Sequence, residues 1–268
     1  MGSNKVLQRV RTFAPRGTVV MAQQTRRSRA DQLLVERGLA ETRSRAQALI
    51  MAGEVFSGDT RVEKGGQTLP HDAPLRVRNV QRYVSRGGQK LEGALLDTGF
   101  DPTGLVAADI GASTGGFTDC LLQHGATRVF AVDVGHAQLA EKLRQDPRVV
   151  VMERVNAKHL LAEQVDGGVD LTVVDASFIG LGKLLPALAT ITRPGGHLLA
   201  LIKPQFEVGR EEATRAAGVI VDPQVRQAAV DKVIAEVAEA GFTPLSNHRS
   251  RLAGPKGNVE HFLLAVRV

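Results

Sequence analysis

The chain of 268 residues has no tryptophan, one tyrosine and nine phenylalanines. Single-strand binding on stacked aromatic platforms needs several exposed rings, so this composition argues against it. The one cysteine, Cys120, can close no internal disulfide and build no cysteine metal cluster, which fits a reducing cytoplasm. His124, His136, His159, His197 and His261 show no metal-ligand spacing, so no metal is expected. No apolar run approaches the roughly eighteen residues of a membrane span, and the densest, such as Leu198–Ile202, are strand-sized. No acid precedes Asp31, whereas Lys5, Arg9, Arg11, Arg16, Arg26, Arg27 and Arg29 do. Residues 1–27 therefore read either as a basic, disordered extension or as a transit peptide, both rich in Arg and poor in acids, without a signal-peptide core and with Met21 as an alternative start. Against these absences stand 43% hydrophobic and 23% charged residues, the balance of a globular protein with a sizeable core.

The net charge of +6 is unevenly spread. Residues 1–90 carry 17 Lys and Arg against 7 Asp and Glu, while residues 91–268 carry 17 against 21. Basicity confined to one third of a chain predicts a polyanion-binding module joined to a near-neutral domain. Nucleic acid is the commonest such partner, and a merely solubilising basic face is the alternative.

In the basic third, Ser28 is expected to cap a helix over Ala30–Arg37 that stops at Gly38. Thr42 is expected to start a second helix, Arg43–Ala52, with Ala46, Leu49 and Ile50 inward and Arg43 and Arg45 outward. Short strands at Val55–Ser57, Arg61–Val62 and Leu75–Arg78 follow, so residues 28–79 form one small unit and 80–84 a linker. The runs from Arg29 to Leu34, Ser44 to Ile50 and Gly53 to Val55 resemble an S4 domain. That resemblance implies a grip on structured RNA, with Arg29, Arg43, Arg45 and Gln47 as its contacts.

Residues 85–268 have a different texture. Strand-like runs at Val106–Ile110, Val129–Val132, Val149–Met152, Leu171–Val174, His197–Ile202 and Phe262–Val266 alternate with helical stretches at Thr118–His124, Ala137–Arg144, Leu181–Thr190 and Pro223–Ala240. This alternation predicts a doubly wound α/β sheet. Its first strand runs into Asp109, Gly111, Ala112, Ser113, Gly115 and Gly116, a small-residue turn before a helix. There, backbone amides can approach a ligand. About twenty residues on, Asp133 ends the second strand, where a carboxylate can take a ribose. The turn lacks the dinucleotide pattern Gly-x-Gly-x-x-Gly. An acid ending the first strand, Asp109, instead suits S-adenosylmethionine, whose ammonium needs a negative neighbour. Asn156, after the third strand, is expected either to meet adenine or to cap a loop.

Ligands of such sheets bind at the C-terminal edge of the strands. Asp175 and Lys203 each follow an apolar strand core and so emerge there. Lys90 and Glu260 cannot be placed by pattern. Taken together, the segments Ser85–Leu91, Gly111–Asp119, Val174–Phe178, Lys203–Glu207, Gly218–Asp222 and Gly257–Leu263 resemble the TlyA, or haemolysin-A-like, proteins over residues 28–268. These join an S4 domain to a Rossmann-like, class I methyltransferase domain of the FtsJ type. The resemblance implies S-adenosylmethionine-dependent methylation of a ribose 2′-hydroxyl, of a cytidine, in ribosomal RNA. It further implies a catalytic tetrad of Lys90, Asp175, Lys203 and Glu260, Asp175 also meeting the cofactor, and an RNA contact at Arg86.

A ribose hydroxyl is a very weak acid, so its oxygen must be aligned and its proton accepted. A lysine near a second cation and withdrawn from water releases its proton more readily, which makes Lys203 the base candidate. A structural ion-pair network is the alternative for these four. For the whole chain, the rivals are an assembly factor with an inactive methyltransferase fold, a membrane-active haemolysin and a nicotinamide-dependent oxidoreductase. A monomer is the default.

Overall fold

The computed structural model describes residues 26–78, 82–209 and 218–268. The chain divides into two compact units between residues 80 and 81.

In the first unit, β1 (Arg27–Arg29) leads directly into α1 (Ala30–Glu36). The expected Ser28 cap is not formed: Arg29 is the cap residue, and Ser28 pairs with Leu69 in a two-stranded ladder. An extended Arg27 corrects the reading of residues 26–27 as part of a disordered arm; residues 1–25 lie outside the described residues. Thr42 does cap α2 (Arg43–Met51), accepting from the Arg45 amide at 3.1 Å. Three further strands form a second small sheet: β2 (Val55–Ser57) between β3 (Thr60–Arg61) and β5 (Leu75–Val77). Its partner ladder is β1 with β4 (Thr68–Pro70). Ala30, Leu33, Leu34, Ala46, Ile50, Val55 and Val62 make a core of their own, so α1 and α2 are amphipathic towards it.

The second unit is built on seven strands. β6 (Val106–Ile110), β7 (Arg128–Asp133), β8 (Val149–Glu153), β9 (Val169–Val174) and β10 (Thr192–Ile202) run parallel in the order β10-β9-β6-β7-β8. β11 (Phe242–Arg249) and β12 (His261–Arg267) add antiparallel on the far side of β10. The central strands are buried on both faces, as covered parallel strands must be, and separate cores lie on the two sides. Among the elements that escaped the sequence pattern are β11, whose outward positions mix Thr243, Asn247 and Arg249 with an exposed Leu245, and α3 (Arg86–Thr98), whose start is rich in glycine. The helix expected over Ala137–Arg144 shrinks to α5 (Glu141–Arg144), because Ala137 takes a left-handed φ of 54°. Among the described residues, no helix is long and apolar enough to cross a membrane.

Candidate active site

The glycine-rich turn joins β6 to α4 (Gly116–Gln123). Two of its glycines are required by close approach. A side chain at Gly111 (φ 87°) would begin 2.9 Å from the Asp175 carbonyl, and one at Gly116 would begin 2.2 Å from Ser85 Oγ. Gly116 thus lets α4 meet the start of α3, which Ser85 caps through the Gly87 amide. Asp133, at the end of β7, accepts the Ser113 amide at 2.8 Å and the Gly135 amide at 2.7 Å. It therefore pins the turn as well as facing the hollow beside it; each oxygen keeps a second lone pair for a ligand hydroxyl.

Asp109 is fully buried. One carboxyl oxygen accepts both the Thr118 amide (2.9 Å) and the Thr118 hydroxyl (2.7 Å), while Oδ1 has no partner. Burial, aided by the nearby Asp175 and Asp133 charges and opposed by the Thr118 hydrogen bonds, pushes its pKa up to about 7. Asp109 lines a hollow of about 250 Å³ with Ser85, Arg86, Lys90, Ala112, Thr114 and Phe117. A second hollow of about 560 Å³ shares Gly111, Ser113 and Asp175 with the first. It is walled by Ile110, Val132, Val155, Ile179 and Leu184, with Asp133 and Asn156 at its polar side. Asn156 also caps a short turn by accepting the Lys158 amide at 3.1 Å, the loop-capping alternative expected of it. A group with a cationic head and an apolar, hydroxyl-bearing body fits this pair of hollows: the orphaned acid meets the head, and the aliphatic wall meets the body.

Four charged residues from distant parts of the chain gather beside the smaller hollow. Lys90, on α3, places Nζ 2.5 Å from Oε2 of the fully buried Glu260, the residue before β12. Lys203, directly after β10, lies 2.5 Å from Asp175 Oδ1 as a charge contact and donates to Ser177 Oγ at 2.9 Å. Lys90 and Lys203 are each only 7% exposed, so these are paired charges held largely out of water. Arg86 lines the same hollow and donates to the Ala253 carbonyl at 3.4 Å. Sequence reasoning missed Thr118, Ser177 and Phe178. Phe178 is 93% exposed with a left-handed φ of 65°, and its ring lies 5.5 Å from that of Phe206. An exposed aromatic in that conformation at the rim of a cavity is strained, a common property of functional positions. The signal available was adjacency: Ser177 and Phe178 directly follow Asp175.

In the first unit, three residues expected to face RNA converge on one acid. Arg29 forks onto Asp31 at 3.0 and 2.8 Å, Gln47 donates at 3.0 Å and Arg43 at 3.3 Å. The Arg29 hydrogen bonds chiefly, then those of Gln47 and Arg43, hold Asp31 far below the ordinary carboxylate range, outweighing the effect of burial. The guanidinium groups keep outward edges, with about half of each side chain exposed. Asp31→Ala is expected to destabilise this unit by about 2–4 kcal/mol, because three donors lose a shared acceptor. Since the folded pKa is depressed, the Asp31 contribution is present above about pH 4 and lost as pH falls below it. Faster hydrogen exchange over α1 and α2 at neutral pH, with residues 82–268 unchanged, is the result to look for.

Comparison with known proteins matches this arrangement. The FtsJ-like methyltransferase family spans residues 83–267, and the S4 domain spans residues 28–73. YqxC of Bacillus subtilis, a candidate rRNA methyltransferase, is 46% identical across 89% of this chain and 85% of its own. TlyA of Mycobacterium tuberculosis, a 16S/23S rRNA (cytidine-2′-O)-methyltransferase, is 45% identical across 89% of each chain. The chain belongs to the TlyA family. A solved structure of a candidate hemolysin from Streptococcus thermophilus, 39% identical, superposes with a TM-score of 0.69 over 91% of this chain and 90% of that one. The TlyA-family assignment brings with it the S4 and FtsJ-like folds and use of S-adenosylmethionine by the family.

Proposed function

We propose that this TlyA-family chain methylates a ribose 2′-hydroxyl, that of a cytidine in ribosomal RNA, with S-adenosylmethionine as donor, in the cytoplasm. The observation that carries the reading is the gathering of Lys90, Asp175, Lys203 and Glu260 beside a hollow whose buried Asp109 has one oxygen without a partner.

Asp109 Oδ1 would hold the donor's ammonium, Asp133 its ribose and Asn156 its adenine edge, with Gly111, Ala112, Ser113, Gly115 and Gly116 giving backbone access. When bound, the donor supplies a methyl group on a sulfonium centre. Lys203 is the proposed base: its Nζ, unprotonated at this step, takes the proton of the ribose hydroxyl as the ribose oxygen takes the methyl group. Asp175 and Ser177 hold that nitrogen and stabilise the charge it gains. The Lys90–Glu260 pair fixes a second cation beside the reacting oxygen without adding net charge. Phe178 offers a ring face to the unstacked target base. Arg29, Arg43, Arg45, Gln47 and Arg86 provide phosphate contacts, which position the RNA without reading sequence.

The test is transfer of labelled methyl from S-adenosylmethionine to purified small and large ribosomal subunits lacking the modification, with the product nucleoside identified by mass. Label in a 2′-O-methylcytidine is the expected result. Intact donor binding with no label on either subunit overturns the proposed substrate.

A further inference from the structure

Glu260 raises a question that the tetrad alone does not answer. Its side chain is fully buried, and only Oε2 is taken by Lys90. A buried carboxylate oxygen without a donor carries a heavy desolvation cost. Oε1 is crowded from one side by Gly254, where a side chain would begin 2.2 Å away, so no side chain can reach it from there. From the other side Gln205 Nε2 approaches to 3.4 Å. The orientation of that amide is forced, since turning it over would set a carbonyl oxygen against a carboxylate. As oriented, Gln205 Oε1 is itself buried without a partner. A polar atom kept unsatisfied beside a reaction site is retained at a cost to stability.

Gln205 also sits where it can couple the two ion pairs. It lies two residues after Lys203, in the short helix Pro204–Glu207, the single turn that Pro204 begins. One short, Pro-started segment thus carries both the lysine paired with Asp175 and the amide that meets Glu260. We propose that Gln205 is a positioning residue of the tetrad, whose amide holds Glu260 and, through it, the Lys90 ammonium in register with Lys203. Its function rests on the ribose methylation proposed above.

The experiment compares full-length wild type, Gln205→Leu and Gln205→Glu in methyl transfer across a pH series. Dissociation constants for S-adenosylmethionine, melting temperatures and the 15N signal of the Lys90 side chain are measured in the same samples. Gln205→Leu is expected to lower kcat roughly 10- to 100-fold with KM and donor affinity unchanged, and to broaden or shift the Lys90 signal. Gln205→Glu sets carboxylate against carboxylate, so its kcat is expected to recover as pH falls and the new acid takes up a proton to donate. A Gln205→Leu enzyme with wild-type kcat, pH profile and Lys90 signal overturns the proposal. So does a loss of rate matched by equal losses in donor affinity and melting temperature. If wild type itself transfers no methyl, the ribose methylation reading fails, while the Lys90 signal still decides whether Gln205 holds the pair.

Discussion

Lys203→Ala is expected to lower methyl transfer by about 10²- to 10⁴-fold, the range for removal of a general base, with S-adenosylmethionine affinity unchanged. The expectation follows from where Nζ lies: 2.5 Å from Asp175 and 2.9 Å from Ser177, at the edge of the hollow and 7% exposed. Loss of the lysine leaves the buried Asp175 Oδ1 without its partner, so melting temperatures are measured beside the rates to separate lost chemistry from lost stability. The decisive companion is Lys203→Arg. A guanidinium keeps the charge and can still pair with Asp175, yet it does not give up its proton in proteins. If Lys203 accepts the ribose proton, both variants fail alike. Full activity in the arginine variant would show that only the positive charge matters. Single-turnover rates on the labelled subunit separate these results from effects on product release.

The second large effect belongs to Asp109. Burial pushes its pKa up to about 7, so the folded chain holds a proton there that the unfolded chain releases near pH 4. The sign follows from linkage: the folded state binds more protons across this window, so stability falls as pH rises from about 4 to about 7, and is level above it. Asp109→Asn removes the cost of burying that charge, partly offset by an amide group that lacks a partner where Oδ1 stood. Asp109→Asn is therefore expected to melt higher than wild type at pH 8 and to show no such gain at pH 4. The same variant should bind S-adenosylmethionine roughly 10- to 100-fold more weakly, because an amide cannot neutralise a ligand ammonium. In wild type, donor affinity should climb with pH up to about 7, and titration calorimetry in buffers of different ionisation enthalpy should register release of a proton. An Asp109→Asn protein that binds the donor as wild type does would remove Asp109 from the site. Gain in stability with loss of ligand is the trade expected where a buried charge is kept for binding.

Much of this chain could be read from residue order alone. The division into a basic third and a near-neutral remainder is a matter of counting. The strand Val106–Ile110 and the small-residue turn after it follow from apolar runs ending in Asp and Gly, because parallel strands covered on both faces leave little room for polar positions. Asp175 and Lys203 were legible for the same reason: each is the first charge after such a run, and chain direction in a parallel sheet delivers both to one edge. Tertiary structure decided the rest. Lys90 and Glu260 are 170 residues apart, and no period or spacing pairs a glycine-rich helix start with the residue before an antiparallel strand; burial of both against one another does. The partnerless oxygen of Asp109, the Gln205 amide on Glu260 and the gathering of Arg29, Arg43 and Gln47 on Asp31 depend on which donors surround a carboxylate. A sequence records which groups can ionise or donate. The cost of burying them, and hence their chemistry, is set by what the folded chain places within about 3 Å.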